Sequence, residues 1–219
     1  MTKNPLENFI MSKTLYEKSF EHDACGVGLV ASIDGVRTNK VLKKAIEAVV
    51  NLTHRGAVGG DKKTGDGAGV LTQLPLELFD EFLSEKDVNQ VTIGNFGVGM
   101  FFLPKKENIL HKKSLEIINK IIKEHNLNLI SSREVPVDDS ALGEKALEAK
   151  PSIFQFFVTD NDFLNQDEFE RKLLLIRKTL ERESLKAKIN DFYCCSFSSR
   201  TIVYKGMLQA HQLDQFYLD

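Results

Sequence analysis

Cysteine is scarce: Cys25, Cys194 and Cys195 are the whole supply, an odd number with two of the three adjacent. Such a set cannot build the disulfide framework of a small secreted domain. Histidine is no better arranged for a metal. None of His22, His54, His111, His125 and His211 falls in a His-x-x-x-His or Cys-x-x-Cys ligand pair, which argues against a structural zinc site and for surface or hydrogen-bonded histidines. Charge of one sign is also missing. The 29 Lys plus Arg against 31 Asp plus Glu leave a net −2, so there is no basic field to hold nucleic acid or an anionic membrane. No apolar run approaches the roughly 18 residues of a membrane span, and residues 1–20 carry Asn4, Glu7, Lys13, Glu17 and Lys18 where a signal peptide would have an apolar core. These absences lead us to expect a cytoplasmic protein with neither nucleic acid nor membrane as a partner. What is present, 42% hydrophobic and 27% charged residues in a chain of 219, suits a soluble globular protein of one substantial domain or a tight pair.

The stretch around which the chain is organised is Glu21-His22-Asp23-Ala24-Cys25-Gly26-Val27-Gly28-Leu29-Val30, where a polar lead-in meets an apolar run at a cysteine. Small neighbours, Ala24 and Gly26, leave the sulfur and backbone open to approach, as an attacking thiolate requires. Taken alone the stretch also fits a packed, inert thiol, since free cysteine is among the most buried residue types. Gly26-Val27-Gly28-Leu29-Val30-Ala31 matches the letters of a dinucleotide fingerprint, but a polar arm precedes it and a strand follows, the reverse of the context that holds a pyrophosphate.

Residues 1–24 show no sustained helical or strand period and read as a leader or loosely attached arm. Val27, Leu29, Val30 and Ile33 favour a strand over 26–33, starting beside Cys25 and ending in a tight turn at Asp34-Gly35. Thr38 or Asn39 can cap a helix to about Thr53 whose face of Val41, Ala45, Ala48, Val49 and Leu52 is directed at a core. It empties into His54-Arg55-Gly56-Ala57 and then Thr64-Gly65-Asp66-Gly67-Ala68-Gly69, a glycine-rich loop that either admits a ligand close to the backbone or merely turns. Further strands are expected over 70–74, 97–103, 127–130, 153–158, 192–197 and 201–204. Helices are expected over 75–83, over 107–125 with Ile109 among its apolar residues, over 167–183 with Leu174 inside, and at the end of the chain. Asp138 and Asp139 read as turn or cap residues. Strands and helices that mix without strict alternation favour layered sheets with helices outside over a doubly wound parallel sheet.

Five strings in one register, EHDACGVGLVA, NLTHRGAVGGDKKTGDGAGVLTQLP, VGMFFLP, REVPVDDSALG and FYCCSFSSRTIVYKGML, resemble the start of the glutamate synthase large subunit family, its class II glutamine amidotransferase domain. The resemblance runs from about Leu15 to the last residue. It implies an α+β fold of the Ntn-hydrolase kind, a four-layer αββα sandwich of antiparallel sheets, incomplete at the C-terminal side. Residues 1–24 would be a leader or propeptide and 25–219 the N-terminal part of the amidotransferase domain.

By this match Cys25 becomes the first residue of the mature chain, attacks the carboxamide of L-glutamine, expels ammonia and leaves a glutamyl thioester for water to cleave. Its freed α-amine would be the base, a group whose unperturbed pKa of about 7.7–8.0 suits proton exchange near neutrality. Arg55 of the His-Arg-Gly turn would orient the terminal residue, and Thr64 to Gly69, with Asp66 and Gly67, would line the same pocket; an arginine that only braces the loop is the alternative. Cys194 and Cys195 are expected to be buried thiols. In the family an arginine in a His-Ser-Arg-Phe-Ser-Thr segment and an oxyanion-forming Asn-Gly pair follow soon after the YKGML string, and neither occurs before Asp219. The resemblance therefore implies little or no glutaminase activity in the isolated chain. FMN and an iron–sulfur cluster belong to the full-length synthase, with no cofactor in this chain, and the remainder of the synthase or a small subunit would be its partner. The alternative is a non-catalytic truncated remnant or interaction module.

Overall fold

The computed structural model of the chain describes residues 25–80, 83, 91, 94–163 and 165–219. The leader assigned to 1–24, and part of the helix expected over 75–83, lie outside the described residues. In chain order the described elements are α1 (Asn39–Asn51), β1 (Ala68–Gln73), α2 (Leu76–Asp80), β2 (Phe96–Leu103), α3 (Ile109–Glu124), β3 (Leu127–Glu134), α4 (Glu144–Ala149), β4 (Ser152–Asp160), α5 (Gln166–Lys186), β5 (Tyr193–Ser198), β6 (Thr201–Gly206) and α6 (Leu213–Phe216). All described strand pairs are antiparallel. One sheet has the order β3-β4-β2-β5 and the other pairs β1 with β6.

The period of two along β2 explains why the four-stranded sheet is buried on both faces. Phe96, Val98 and Met100 point one way, with Phe157 of β4, and meet Ile202 and Tyr204 of β6, so that one core lies between the sheets. Phe101 and Leu103 point the other way with Phe156 and Val158, into a second core closed by helices. Those helices present stripes at helical spacing: Ile118, Ile121 and Ile122 from α3, and Phe169, Leu173, Ile176 and Leu180 from α5. Asn108 caps α3 by accepting from the Leu110 amide at 2.9 Å, and Asn165 caps α5 by accepting from the Glu168 amide at 3.0 Å. Gly97 lets α5 approach the sheet closely, for a Cβ there would stand 3.0 Å from Leu173.

Two residues expected inside are not. Leu174 is 54% exposed because it lies one position off the α5 stripe, and Ile109 is 82% exposed at the first position of α3, before the helix reaches the sheet. The adjacent Cys194 and Cys195 are buried as expected, and on opposite faces. Cys194 lies in the helix-side core and Cys195 between the sheets, where β5 carries an extra residue between the partners of Met100 and Phe101.

A polar cluster also bridges the sheets. Arg133 of β3 donates to Gln155 at 2.8 Å and to Asp219 at 2.6 Å; Gln155 donates to Tyr204 of β6 at 3.2 Å, and the Tyr204 hydroxyl donates to Asp219 at 3.1 Å. Gln155 is fully buried, so this closed set of partners avoids the cost of leaving its amide unsatisfied.

The beginning of the described chain departs from expectation. Residues 25–32 form no regular element and belong to no ladder, and Val27 and Leu29 are 90% and 92% exposed. An alternating pattern makes a strand only where a neighbouring strand supplies hydrogen-bond partners, and among the described residues none does. The turn after it does form: the Gly35 amide donates to the Ser32 carbonyl at 3.2 Å, with Gly35 at φ +71°. Helix α1 also differs, for none of its residues is fully buried. Val41, Ala45, Ala48, Val49 and Leu52 are half-covered, with α1 packed against β1 and residues 210–212.

Phe157 packs against Phe79 and Phe96 with ring centroids 5.2 and 5.9 Å away. Its truncation in Phe157→Ala is expected to cost about 3–5 kcal/mol. Urea denaturation checks this, and a loss below about 1 kcal/mol would contradict the two-sided burial of the sheet.

Candidate functional site

Cys25 begins the described chain as an exposed thiol, unlike the two buried ones. The residues after it run along the C-terminal half of α1. A Cβ on Gly28 would stand 3.8 Å from Ala48, and one on Gly26 would stand 3.3 Å from both Leu52 and the Cγ of Arg55. The missing side chain at Gly26 therefore lets the backbone next to Cys25 lie against the stem of Arg55. Arg55 sits there because the chain tightens after α1 into a 3-10 turn, Thr53–Arg55, in which the Arg55 amide donates to Leu52 at 2.8 Å and the Gly56 amide donates to Thr53 at 3.0 Å. Its side chain is exposed, and among the described residues its guanidinium makes no hydrogen bond or ion pair. His54 beside it turns back, its Nδ1 3.1 Å from the Asn51 carbonyl.

Beyond Gly56 the chain folds on itself. Val58 bridges to Gly65, the Gly59 amide donates to Thr64 at 2.7 Å, and the Asp66 amide donates to Ala57 at 3.2 Å. This hairpin returns Asp66 to the base of the loop, where its Oδ1 lies 3.2 Å from the position of a Cβ on Gly56. Gly67 follows at φ +142°, a conformation suited to glycine, and leads into β1. The structure thus gathers Cys25, Arg55, Asp66 and Gly67 at one end of α1 through two glycine contacts, Gly26 with Arg55 and Gly56 with Asp66.

The rest of the stretch from Thr64 to Gly69 is placed differently. Thr64 and Gly65 are buried on the far side of the hairpin, and Ala68 and Gly69 belong to β1. Asp61, which carries no local sequence signal, organises the tip: its carboxylate accepts from the Thr64 hydroxyl at 2.5 Å and the Thr64 amide at 2.8 Å. Those bonds to its charged form hold the Asp61 carboxyl well below the usual range. Asp138 behaves as a cap, accepting from the Ser140 amide at 2.9 Å.

A cavity of about 590 Å³ lies elsewhere, lined by Lys105, Lys106, Glu134, Val137 and Lys150 among others, and shares no residue with the Cys25 cluster. Its lysines are engaged: Lys106 pairs with Glu134 at 2.5 Å, Lys150 pairs with Asp139 at 2.5 Å, and Lys105 donates to the Glu148 carbonyl at 2.7 Å. Chemistry favours the Cys25 cluster. Among the described residues no group of three or more His, Cys, Asp or Glu is placed to hold a metal ion, and no helix is long and apolar enough to cross a membrane.

Cys25 is thus an exposed thiol whose neighbour Gly26 lies against the stem of Arg55. The sequence matches the family model of class II glutamine amidotransferases over residues 25–219, and the chain belongs to that family. Among curated proteins it is similar to the glutamate synthase [NADPH] large chain of Bacillus subtilis, 40% identical over 206 residues that cover 94% of this chain and 13% of that protein. It is also similar to the ferredoxin-dependent glutamate synthase of Pyropia yezoensis, 39% identical over 95% of this chain and 14% of that protein. The glutamate synthase [NADPH] large chain of Azospirillum brasilense is 38% identical over 93% and 13% respectively. The chain therefore spans about an eighth of the length of these relatives.

Burial pushes the Cys195 thiol up to about 11 and raises the Cys194 thiol further. Iodoacetamide applied to the native protein at about pH 8 is accordingly expected to place one adduct per chain, on Cys25, and none in Cys25→Ser. Peptide mass mapping checks this, and adducts on Cys194 or Cys195 would contradict it.

Proposed function

We propose that these residues form the glutaminase part of a glutamate synthase, with Cys25 as an N-terminal nucleophile on L-glutamine. The observation that carries the reading is that the family match begins at Cys25, the one exposed thiol, whose neighbour Gly26 lies against Arg55. In this reading α1, the two sheets, and α3 with α5 correspond to the four layers of an Ntn-hydrolase sandwich.

The chemistry proceeds in two halves once residues 1–24 are removed. The α-amine of Cys25 takes the thiol proton and the thiolate adds to the side-chain carbonyl carbon of glutamine. When the tetrahedral adduct collapses, the carbon–nitrogen bond breaks, the ammonium returns its proton to the leaving nitrogen, and ammonia departs. Water, deprotonated by the same amine, then adds to the thioester. The carbon–sulfur bond breaks and glutamate leaves a free thiol. Base and nucleophile on one residue lose little orientational freedom when they act together. Arg55 orients the terminal residue through its backbone, and Asp66 and Gly67 form the adjoining rim toward the substrate.

The oxyanion donors and the clamp for the substrate carboxylate come from outside these 219 residues. FMN and the iron–sulfur cluster belong, in this reading, to the remainder of the synthase; Cys194 and Cys195 are here buried thiols that donate to carbonyl oxygens, each at 3.6 Å. The partner is the remainder of a synthase, and the setting we propose is cytoplasmic.

Intact mass and labelling with a diazoketone analogue of glutamine test the reading. A chain that starts at Cys25, carries one label there and loses it in Cys25→Ser is expected, with glutamine hydrolysis at least about 10²-fold slower than in a chain that includes the oxyanion segment. An uncleaved, unlabelled chain would overturn the assignment in favour of a non-catalytic interaction module.

A further inference from the structure

One string singled out in the sequence, REVPVDDSALG, takes no part in the chemistry above, and the structure brings its end to the back of the Cys25 loop. Gly143 lies so close to Thr64 that a Cβ would collide with the Thr64 amide nitrogen and stand 2.7 Å from Asp61 Oδ2. The Thr64 hydroxyl donates to Asp61 and accepts from the Ala146 amide at 3.3 Å. A third segment joins them. Gln212, only 4% exposed, donates from Nε2 to the Lys63 carbonyl at 3.0 Å and to the Ala141 carbonyl at 2.7 Å, while its Oε1 accepts from the Gln209 amide at 2.7 Å. Gln209 in turn donates to the Lys62 carbonyl at 3.1 Å. Gly65 rests on the Leu208 carbonyl with no room for a side chain.

The loop of residues 59–65 is thus clasped from behind by segments remote in sequence, and its front carries the residues beside Cys25. The line of contact is continuous: Gln212 to Lys63, across the Val58 and Gly65 bridge, through Ala57 and Gly56 to Arg55, and from Arg55 to Gly26. The cationic side chain and the thiol hold a fixed relation only if that loop does not shift, because glycines at 56, 59, 60, 65 and 67 make its backbone soft by itself.

We propose that Gln212, with Thr64, is a positioning residue for the Cys25 site, the amide of Gln212 locking loop 59–65 to the turn at Ala141 and thereby fixing Arg55 against Gly26. This rests on reading Cys25 as the reactive centre. Its test does not require turnover: amide hydrogen exchange over 55–67, together with the rate at which iodoacetamide alkylates Cys25. Gln212→Met removes both donated bonds at similar volume. Exchange at Gly59, Lys62 and Asp66 is expected to rise about tenfold or more and to spread to Arg55 and Gly56. The alkylation rate at Cys25 is expected to change by about threefold or more.

Thr64→Val is expected to reproduce both effects and Thr64→Ser, which keeps the hydroxyl, to restore native behaviour. Ile118→Val, in the helix-side core, lowers stability without touching the clasp and is expected to leave both readouts native. Faster exchange confined to 59–65, with Arg55, Gly56 and the Cys25 rate within about twofold of native, would overturn the proposal and leave Gln212 a purely structural residue. Failure of the glutaminase reading would appear instead as an absence of labelling by the glutamine analogue, which these measurements do not use.

Discussion

The contact on which the rest depends is between Gly65 and the carbonyl of Leu208, closer than any side chain on residue 65 would allow. It sets the loop flush against the chain leaving β6, just as β1, which follows the loop, pairs with β6 from Ala68 opposite Gly206 to Gln73 opposite Thr201. Loop and strand are fixed by one surface. Everything at the front, Asp66 over Gly56 and Arg55 against Gly26, inherits its position from that seat.

The molecule is correspondingly uneven. Its rear half is a sheet buried on both faces, with Phe101, Phe156, Phe157 and Met100 almost wholly removed from water. Its front half is open: α1 is only half-covered, Leu71 of β1 is 63% exposed, and the residues after Cys25 lie along α1 without a ladder. Burial of several large side chains at about 1.5–3 kcal/mol each gives the rear the rigidity to carry a soft, glycine-rich front. The acyl transfer proposed for Cys25 needs both properties, a thiol that substrate can approach and neighbours that do not drift while it reacts.

How much of this could be read from the sequence depends on the reach of each interaction. The α5 stripe of Phe169, Leu173, Ile176 and Leu180 was legible because its period is local and its partners are all apolar. The pattern at Val27, Leu29 and Ile33 was equally clear and misled, since alternation specifies a strand only when a partner is at hand. The strands expected over 192–197 and 201–204 are both present, as β5 and β6, but their assignment to different sheets was not legible, for the turn between them is held by Glu170 of α5, which accepts from both Ser198 and Ser199 hydroxyls. Helix α4, six residues long, is too short to show a period. Cys25 and Arg55 drew attention only through the strings around them. Gln212 carried no local signal at all, because its partners Lys63 and Ala141 lie 149 and 71 positions away.

The central claim is that the sulfur of Cys25, at a newly exposed chain start, carries the glutamyl group. Rapid quenching of a glutamine reaction in a longer chain that includes these residues, followed by mass analysis of the peptide containing Cys25, tests it most directly. The account predicts a transient γ-glutamyl thioester on a peptide whose first residue is Cys25. Steady release of ammonia from glutamine with no acyl group on that sulfur, or with residues 1–24 still attached to it, would contradict the account.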